Sequence, residues 1–270
     1  MKTAVVFAAG PLGRVSFERL RGHVDALRAD VLVAADGGLD LAYKLGCEPD
    51  LVIGDMDSVT PDSLAGARRS GVEIREFARA KDATDYELAI DAAVAAGAER
   101  VTVVGSESGR IDHLFATLMT LCAPKYASVA MEAVLGDSYL AVLNGADDTE
   151  SPAALPALAA STRVGSGPNV AAVIESESDT NVRGRSRVVS PSSVILEGPS
   201  GSSVSLFAMN GAALGISTTG LAWALEEAKL EPGSSLGVSN EIARNIGTVR
   251  ITTGCLAVVM PASAESKEVK

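Results

Sequence analysis

Residues 31–58 read VLVAADGGLDLAYKLGCEPDLVIGDMDS, and KDATDYELA follows at residues 81–89. In these stretches an acidic residue stands wherever an apolar, strand-like segment ends. Asp36 follows Val31–Ala35, Asp55 and Asp57 follow Leu51–Ile53, and Asp82 and Asp85 come soon after Glu73–Phe77. If the three segments are neighbouring parallel strands, all five carboxylates crowd one rim of one sheet, where open α/β sheets bind ligands. Such a cluster repels itself unless a cation neutralises it, and hard divalent cations favour oxygen ligands. The pattern points to a magnesium site that handles a phosphorylated substrate.

Working outward, the first half of the chain alternates strand and helix. Expected strands are Thr3–Ala8, Val31–Ala35, Leu51–Ile53, Glu73–Phe77, Val101–Val104 and Ser128–Val134. Between them the spacing predicts helices over Ser16–Arg28, Leu39–Leu45, Pro61–Ser70, Asp85–Ala96 and Ile111–Leu121, several closed by a glycine. Strands alternating with helices imply βαβ units, a parallel sheet and right-handed crossovers. After residue 145 the character changes. A Ser-, Ala- and Asp-rich stretch over 146–190 reads as a linker or insertion, with one short strand near Val170–Ile174. From Ser193 the segments VILEG, VSLFAM, LGISTTG and VRITT predict a small antiparallel sandwich or barrel. The expected organisation is an α/β catalytic domain over 1–145, the linker, a β domain over 191–262 and a frayed tail over 263–270.

Composition narrows the function. The net charge of −11 argues against non-specific nucleic-acid binding, which requires Lys and Arg to replace counterions. No segment approaches the roughly 18 consecutive apolar residues of a membrane span. Cys47, Cys122 and Cys255 are scattered and only two histidines are present, so a Cys/His zinc site is not expected. Unpaired thiols fit a reducing compartment, and the expected location is the cytoplasm.

Each motif also has a plainer reading. In an extended stretch Asp55 and Asp57 point to the same side and reach one ion; otherwise they cap the helix near Pro61. Asp85 is either a ligand or the N-cap of its own helix. Lys81 and Asp82 are either solvated or hold a phosphate oxygen and a metal. GSESGRIDH, residues 105–113, frees backbone amides to face an anion before a helix, with Arg110 as a phosphate ligand. Read alone, Asp112 is a helix-dipole partner, His113 a satisfied polar residue and Trp223 a core residue.

The ordered set ADGG, PDLVIGDMDS, KDATD, SGRIDH, VSLFAM, TTGLAW and GVSNE resembles the thiamine pyrophosphokinase family over roughly residues 1–145 and 190–262. The resemblance implies an α/β catalytic domain, a β domain, and a homodimer whose active sites are shared between subunits. It makes Asp36, Asp55, Asp57, Asp82 and Asp85 the acidic set around Mg²⁺ and the ATP phosphates, with Asp55, Asp57, Asp82 and Asp85 taken as catalytic. Lys81, Arg110, Asp112 and His113 fall on the nucleotide side. Thr219, Trp223, Ser239 and Asn240 fall on the thiamine side, with Trp223 packing against the vitamin's rings. The implied reaction is transfer of the pyrophosphoryl group from ATP to thiamine. Met56, the GSES turn and Thr117 depart from the family's usual residues, but no carboxylate is lost. A pyrophosphokinase for another hydroxymethyl heterocycle, such as a pterin, and a catalytically silent nucleotide-binding module are the alternatives.

Overall fold

The computed structural model describes residues 1–12, 14–107, 109–145 and 186–262. Most of the linker, including the strand expected near Val170–Ile174, and the 263–270 tail lie outside the described residues.

The first half alternates as its pattern predicts. In order come β1 (Thr3–Ala8), α1 (Arg14–Leu27), β2 (Val31–Ala35), α2 (Gly38–Lys44), β3 (Leu51–Gly54) and α3 (Pro61–Ser70). Then follow β4 (Glu73–Glu76), α4 (Asp85–Ala95), β5 (Arg100–Gly105), α5 (Ile111–Leu121), β6 (Ala130–Leu135) and β7 (Ser138–Gly145). The strands line up as β4-β3-β2-β1-β5-β6, all parallel, and β7 adds antiparallel to β6. The chain builds outward from β1 to β4, then returns to place β5 on the other flank of β1. The crevice between the ends of β1 and β5 is therefore the topological switch point, where such sheets bind ligands.

Burial follows the two-residue period of a strand. Val5 and Phe7 pack with Leu20, Leu39 and Ala42 of α1 and α2 on one face. Ala4 and Val6 pack with Ala89, Ile90 and Ala93 of α4 on the other. Helices cover both faces, so the parallel strands inside the edge strand β4 read as nearly continuous apolar runs.

The second half comprises β8 (Arg187–Ser190), β9 (Ser193–Glu197), β10 (Ser203–Thr219), β11 (Ala228–Leu230), β12 (Asn240–Glu241), β13 (Ile246–Arg250) and β14 (Thr253–Met260). β8 lies in a stretch the sequence reading leaves in the linker. The two halves join directly, because β14 pairs with β7 over Tyr139–Gly145 and with β10 on its other side. β10 shifts register between Met209 and Leu214, where Asn210 and Gly211 take positive φ, and its far end pairs with β13. That bend folds the ladder back into a sandwich around Leu143, Leu196, Leu206, Ile216, Val249 and Leu256.

A buried ion pair fixes where the chain enters this sandwich. Arg100 Nη1 lies 2.7 Å from Glu132 Oε1, Arg100 Nη2 donates to the Val188 carbonyl, and the Val188 amide donates to Glu132. Burial pushes the Glu132 carboxyl up, and Arg100, the Val188 amide and the Tyr139 hydroxyl offset only part of that. No helix among the described residues is long and apolar enough to cross a membrane.

Removing the arginine would leave a buried, unpaired carboxylate. Arg100→Met should therefore destabilise the protein by about 3 kcal/mol at neutral pH. A glutamate pKa raised by folding stabilises below its ordinary value of 4.5 and loses that contribution as pH rises through the folded pKa. The variant's deficit should accordingly shrink as the pH falls from neutral and Glu132 takes up a proton. Urea unfolding followed across that fall in pH checks the magnitude and the sign.

Candidate active site

The Asp36 carboxylate is brought into place by backbone constraints. Asp36 directly follows β2, takes φ 47° and donates its amide to the Ile53 carbonyl at 2.8 Å. Two residues on, a Cβ at Gly38 would sit 2.0 Å from the Phe7 carbonyl oxygen, so only glycine lets α2 start this close to β1. Gly54 has φ 156°, and a Cβ there would lie 2.9 Å from that of Asp36. The ends of β2 and β3 thus press together with no side chain to hold them apart.

Residues 55–58 are not extended, contrary to the reading that aligned Asp55 and Asp57 by a two-residue period. Met56 takes φ 62°, in the left-handed region, and the Asp57 amide donates to Asp55 Oδ1 at 3.2 Å. The turn, rather than the strand period, brings the two carboxylates together. Neither caps a helix. Thr60 caps α3 by accepting from the Ser63 amide, and Asp40 of α2 holds Thr60 through two hydrogen bonds of 2.6 and 3.1 Å. Asp85 is not a cap either, because Thr84 caps α4 by accepting from the Glu87 amide.

Asp36, Asp55 and Asp57 each offer an oxygen within 4.8 Å of the others. Asp36 Oδ1 is buried without a hydrogen-bond partner, and an orphaned carboxylate oxygen of that kind is what a hard cation satisfies. Burial pushes the Asp36 carboxyl up, Ser58 and the Gly37 amide pull it down, and Asp85 raises it further. Asp55 is held below the usual carboxylate range, first by the Asp57 amide and then by Lys81. These donors fit a magnesium ion. Asp82 and Asp85 are not drawn into the trio. Asp85 Oδ1 lies 2.9 Å from Lys81 Nζ, which also stands 3.7 Å from Asp55. Burial works against the Lys81 ammonium, yet Asp85 and Asp55 hold its pKa above the ordinary value.

A cavity of about 720 Å³ opens beside the trio at the switch point. Ala9–Pro11 after β1 and Ser106, Gly109 and Arg110 after β5 form its walls, with Asp36, Asp55, Lys81, Asp82, Asp85, His113 and Thr117. Ser106 Oγ donates to the Pro11 carbonyl at 2.7 Å, tying the two loops together. Glu107 of the GSES turn faces away and accepts from the Ser138 hydroxyl. The N-terminus of α5 opens onto this space, a setting that favours an anion. His113 lines the wall, whereas Asp112 does not. Asp112 instead grips Arg110 through two hydrogen bonds of 3.1 and 2.5 Å, which lowers the Asp112 pKa and raises that of Arg110. Arg79, which is not among the residues expected from the sequence, also lines the cavity; its signal is a second cation two residues before Lys81.

The residues of the β domain stand elsewhere. None of Thr219, Trp223, Ser239 and Asn240 lines this cavity. Trp223 is 60% exposed, which overturns its reading as a core residue. Buried Asn240 holds the Trp223 backbone from both sides, accepting from its amide at 3.1 Å and donating to its carbonyl at 2.7 Å. Thr219 and Thr248 share a hydroxyl hydrogen bond, and Ser239 takes φ 61° with its amide on Ser205 Oγ.

Comparison with known proteins agrees with this division. Residues 26–133 match the family described as thiamin pyrophosphokinase, catalytic domain, and residues 193–256 match thiamin pyrophosphokinase, vitamin B1 binding domain. The chain belongs to the thiamin pyrophosphokinase family. A thiamine pyrophosphokinase of Bacillus subtilis is 26% identical over 121 residues, a stretch of 45% of this chain and 55% of that protein's length. The crystal structure of thiamine pyrophosphokinase from the same species superposes with a TM-score of 0.67 at 16% identity, over 97% of this chain and all of that one. The thiamin pyrophosphokinase of Geobacillus thermodenitrificans gives 0.65 at 22% identity, over 98% and 99% of the two chains. At these identities the structures establish a shared fold. The acidic trio lies within the catalytic-domain match, and Trp223 within the B1-binding match.

Asp36→Asn should move stability and metal binding in opposite directions. Losing a desolvated, like-charged carboxylate should raise the melting temperature by roughly 2–4 °C. Losing one of three oxygen ligands should weaken Mn²⁺ binding by about ten-fold or more. Differential scanning calorimetry and Mn²⁺ titration followed by electron paramagnetic resonance read the two effects separately.

Proposed function

We propose that this protein transfers the pyrophosphoryl group of ATP to the hydroxyl of thiamine, giving thiamine diphosphate and AMP. The observation that carries the reading is the convergence of Asp36, Asp55 and Asp57 beside the switch-point cavity, with Asp36 Oδ1 buried and unpartnered. Membership of the family and the exposed Trp223 of the B1-binding region favour thiamine as the acceptor.

In this reading the triphosphate lies along the loops after β1 and β5, beneath the N-terminus of α5. Asp36, Asp55 and Asp57 would hold Mg²⁺, which when bound neutralises phosphate oxygens and steadies the charge that builds in the transition state. Lys81, fixed between Asp55 and Asp85, adds a point charge. The thiamine hydroxyl oxygen forms a bond to the β-phosphorus. The bond from that phosphorus to the oxygen bridging it to the α-phosphate breaks, and AMP leaves with the electron pair. A carboxylate of the acidic set accepts the hydroxyl proton. Positioning and electrostatics account for most of the acceleration, as in other phosphoryl transfers.

The separation of Trp223 from the cavity within one chain supports a homodimer in which one protomer's β domain completes its partner's site. Phe115 and Met119 of α5, and Leu236 and Val238 of the β domain, expose apolar surface that a second copy would cover. The free cysteines support a cytoplasmic location.

Asp57→Asn should abolish thiamine-dependent turnover while leaving the unfolding midpoint within about 1 kcal/mol of the unsubstituted protein. Trp223→Ala should also be inactive. Mixing the two inactive proteins and allowing subunits to exchange should restore roughly a quarter of normal turnover, since half of the dimers are hybrids with one intact site. Full activity of Asp57→Asn would sink the assignment, and no recovery on mixing would place each site within a single chain.

A further inference from the structure

The cations around the cavity differ sharply in how firmly they are held. Lys81 is clamped: its side chain is only 14% exposed, and it sits 2.9 Å from Asp85 and 3.7 Å from Asp55. Arg110 is committed to Asp112, to which its Nε and Nη2 both donate. Arg79 is neither clamped nor matched. It projects from the segment between β4 and α4, its side chain is 86% exposed, and its ion pair is a 3.7 Å approach to Asp57 Oδ2. Asp57 is itself 46% exposed and belongs to the trio suited to a divalent cation.

Two facts about these groups point the same way. A guanidinium and a divalent cation cannot both neutralise Asp57 closely, because like charges repel. Exposed ion pairs of this kind are also weak, so a bound cation displaces the arginine at little cost. A freed guanidinium at the wall of the cavity has five N–H donors in a planar fork, a match for phosphate oxygens that an ammonium lacks. We propose that Arg79 is an exchangeable counter-cation, which neutralises Asp57 before a divalent cation loads and then turns onto the phosphate chain of the nucleotide. Metal loading and triphosphate capture are thereby coupled through one side chain. This rests on the ATP reading above and adds to it a phosphate-binding arginine, with the order in which its partners change.

The competition gives Arg79→Ala a pair of effects with opposite signs. Without nucleotide, Mn²⁺ should bind about two-fold more tightly, because the competing cation is gone. In the presence of Mg²⁺, ATP should bind about ten-fold more weakly, because a charge-assisted contact to phosphate is lost. Arg79→Lys keeps the charge but not the fork, so it should restore the ordinary Mn²⁺ affinity and only part of the ATP affinity. Electron paramagnetic resonance for Mn²⁺ and calorimetric titration for ATP read these without turnover. If Arg79→Ala binds both ligands like the unsubstituted protein, or binds both more weakly, the exchange is refuted while the pyrophosphokinase reading stands. If the unsubstituted protein binds neither Mn²⁺ nor Mg-ATP, that reading falls and the exchange falls with it.

Discussion

The site depends on the repulsion of three carboxylates held together by the ends of adjacent strands. Asp36, Asp55 and Asp57 converge because β2 and β3 are neighbours in the sheet, and each strand ends just before its acidic residue. The backbone allows no retreat. Glycine at 38 lets α2 lie against β1, glycine at 54 lets the β3 end lie against Asp36, and Met56 turns the chain back on itself. Lys81 approaches Asp55 and Asp85 and Arg79 approaches Asp57, so with Asp36 two positive charges face four carboxylates. A fold that concentrates negative charge this way would be stabilised by a bound cation, at a local cost in stability while the carboxylates stand without one.

The same sheet carries the second half of the molecule. β7 and β14 continue the hydrogen-bonded ladder out of the parallel region, and the bend in β10 turns it into the sandwich. The Arg100–Glu132 pair then fixes β8 at the Val188 backbone. Trp223 is displayed at the surface by buried Asn240, whose side chain is spent on the tryptophan's own backbone. Asn240 is therefore committed to holding the backbone from which the exposed indole projects.

What the sequence made legible follows from the range of the forces involved. Alternating strand and helix, the glycine stops and the acidic residue after each strand are local signals, and they located β1 to β6 within a residue or two. The seam formed by SYLAVLNG and TGCLAVVM was missed. Its registered partners lie 109 (Gly145 and Gly254) to 121 (Tyr139 and Met260) residues apart, and no local pattern pairs segments at that distance. The alignment of Asp55 with Asp57 was anticipated for the wrong reason, since a left-handed Met56 is invisible to a period count. Caps at Thr60 and Thr84 were overlooked because acidic neighbours offered equally good caps by residue type. Arg79 escaped notice because a lone arginine in a polar segment becomes informative only once Asp57 is seen beside it. Trp223 went the other way: its type suggested burial, the family resemblance placed it on the thiamine side, and the indole is exposed.

The most direct test of the account is the identity of the products formed from Mg-ATP and thiamine, resolved by mass spectrometry. The acidic site and the family together predict AMP and thiamine diphosphate in equal amounts, both absent when thiamine is left out. ADP with thiamine monophosphate would mean transfer of the γ-phosphoryl group. No phosphorylated thiamine at all would mean that this charged cavity serves another acceptor or none, and either result would contradict the proposed reaction.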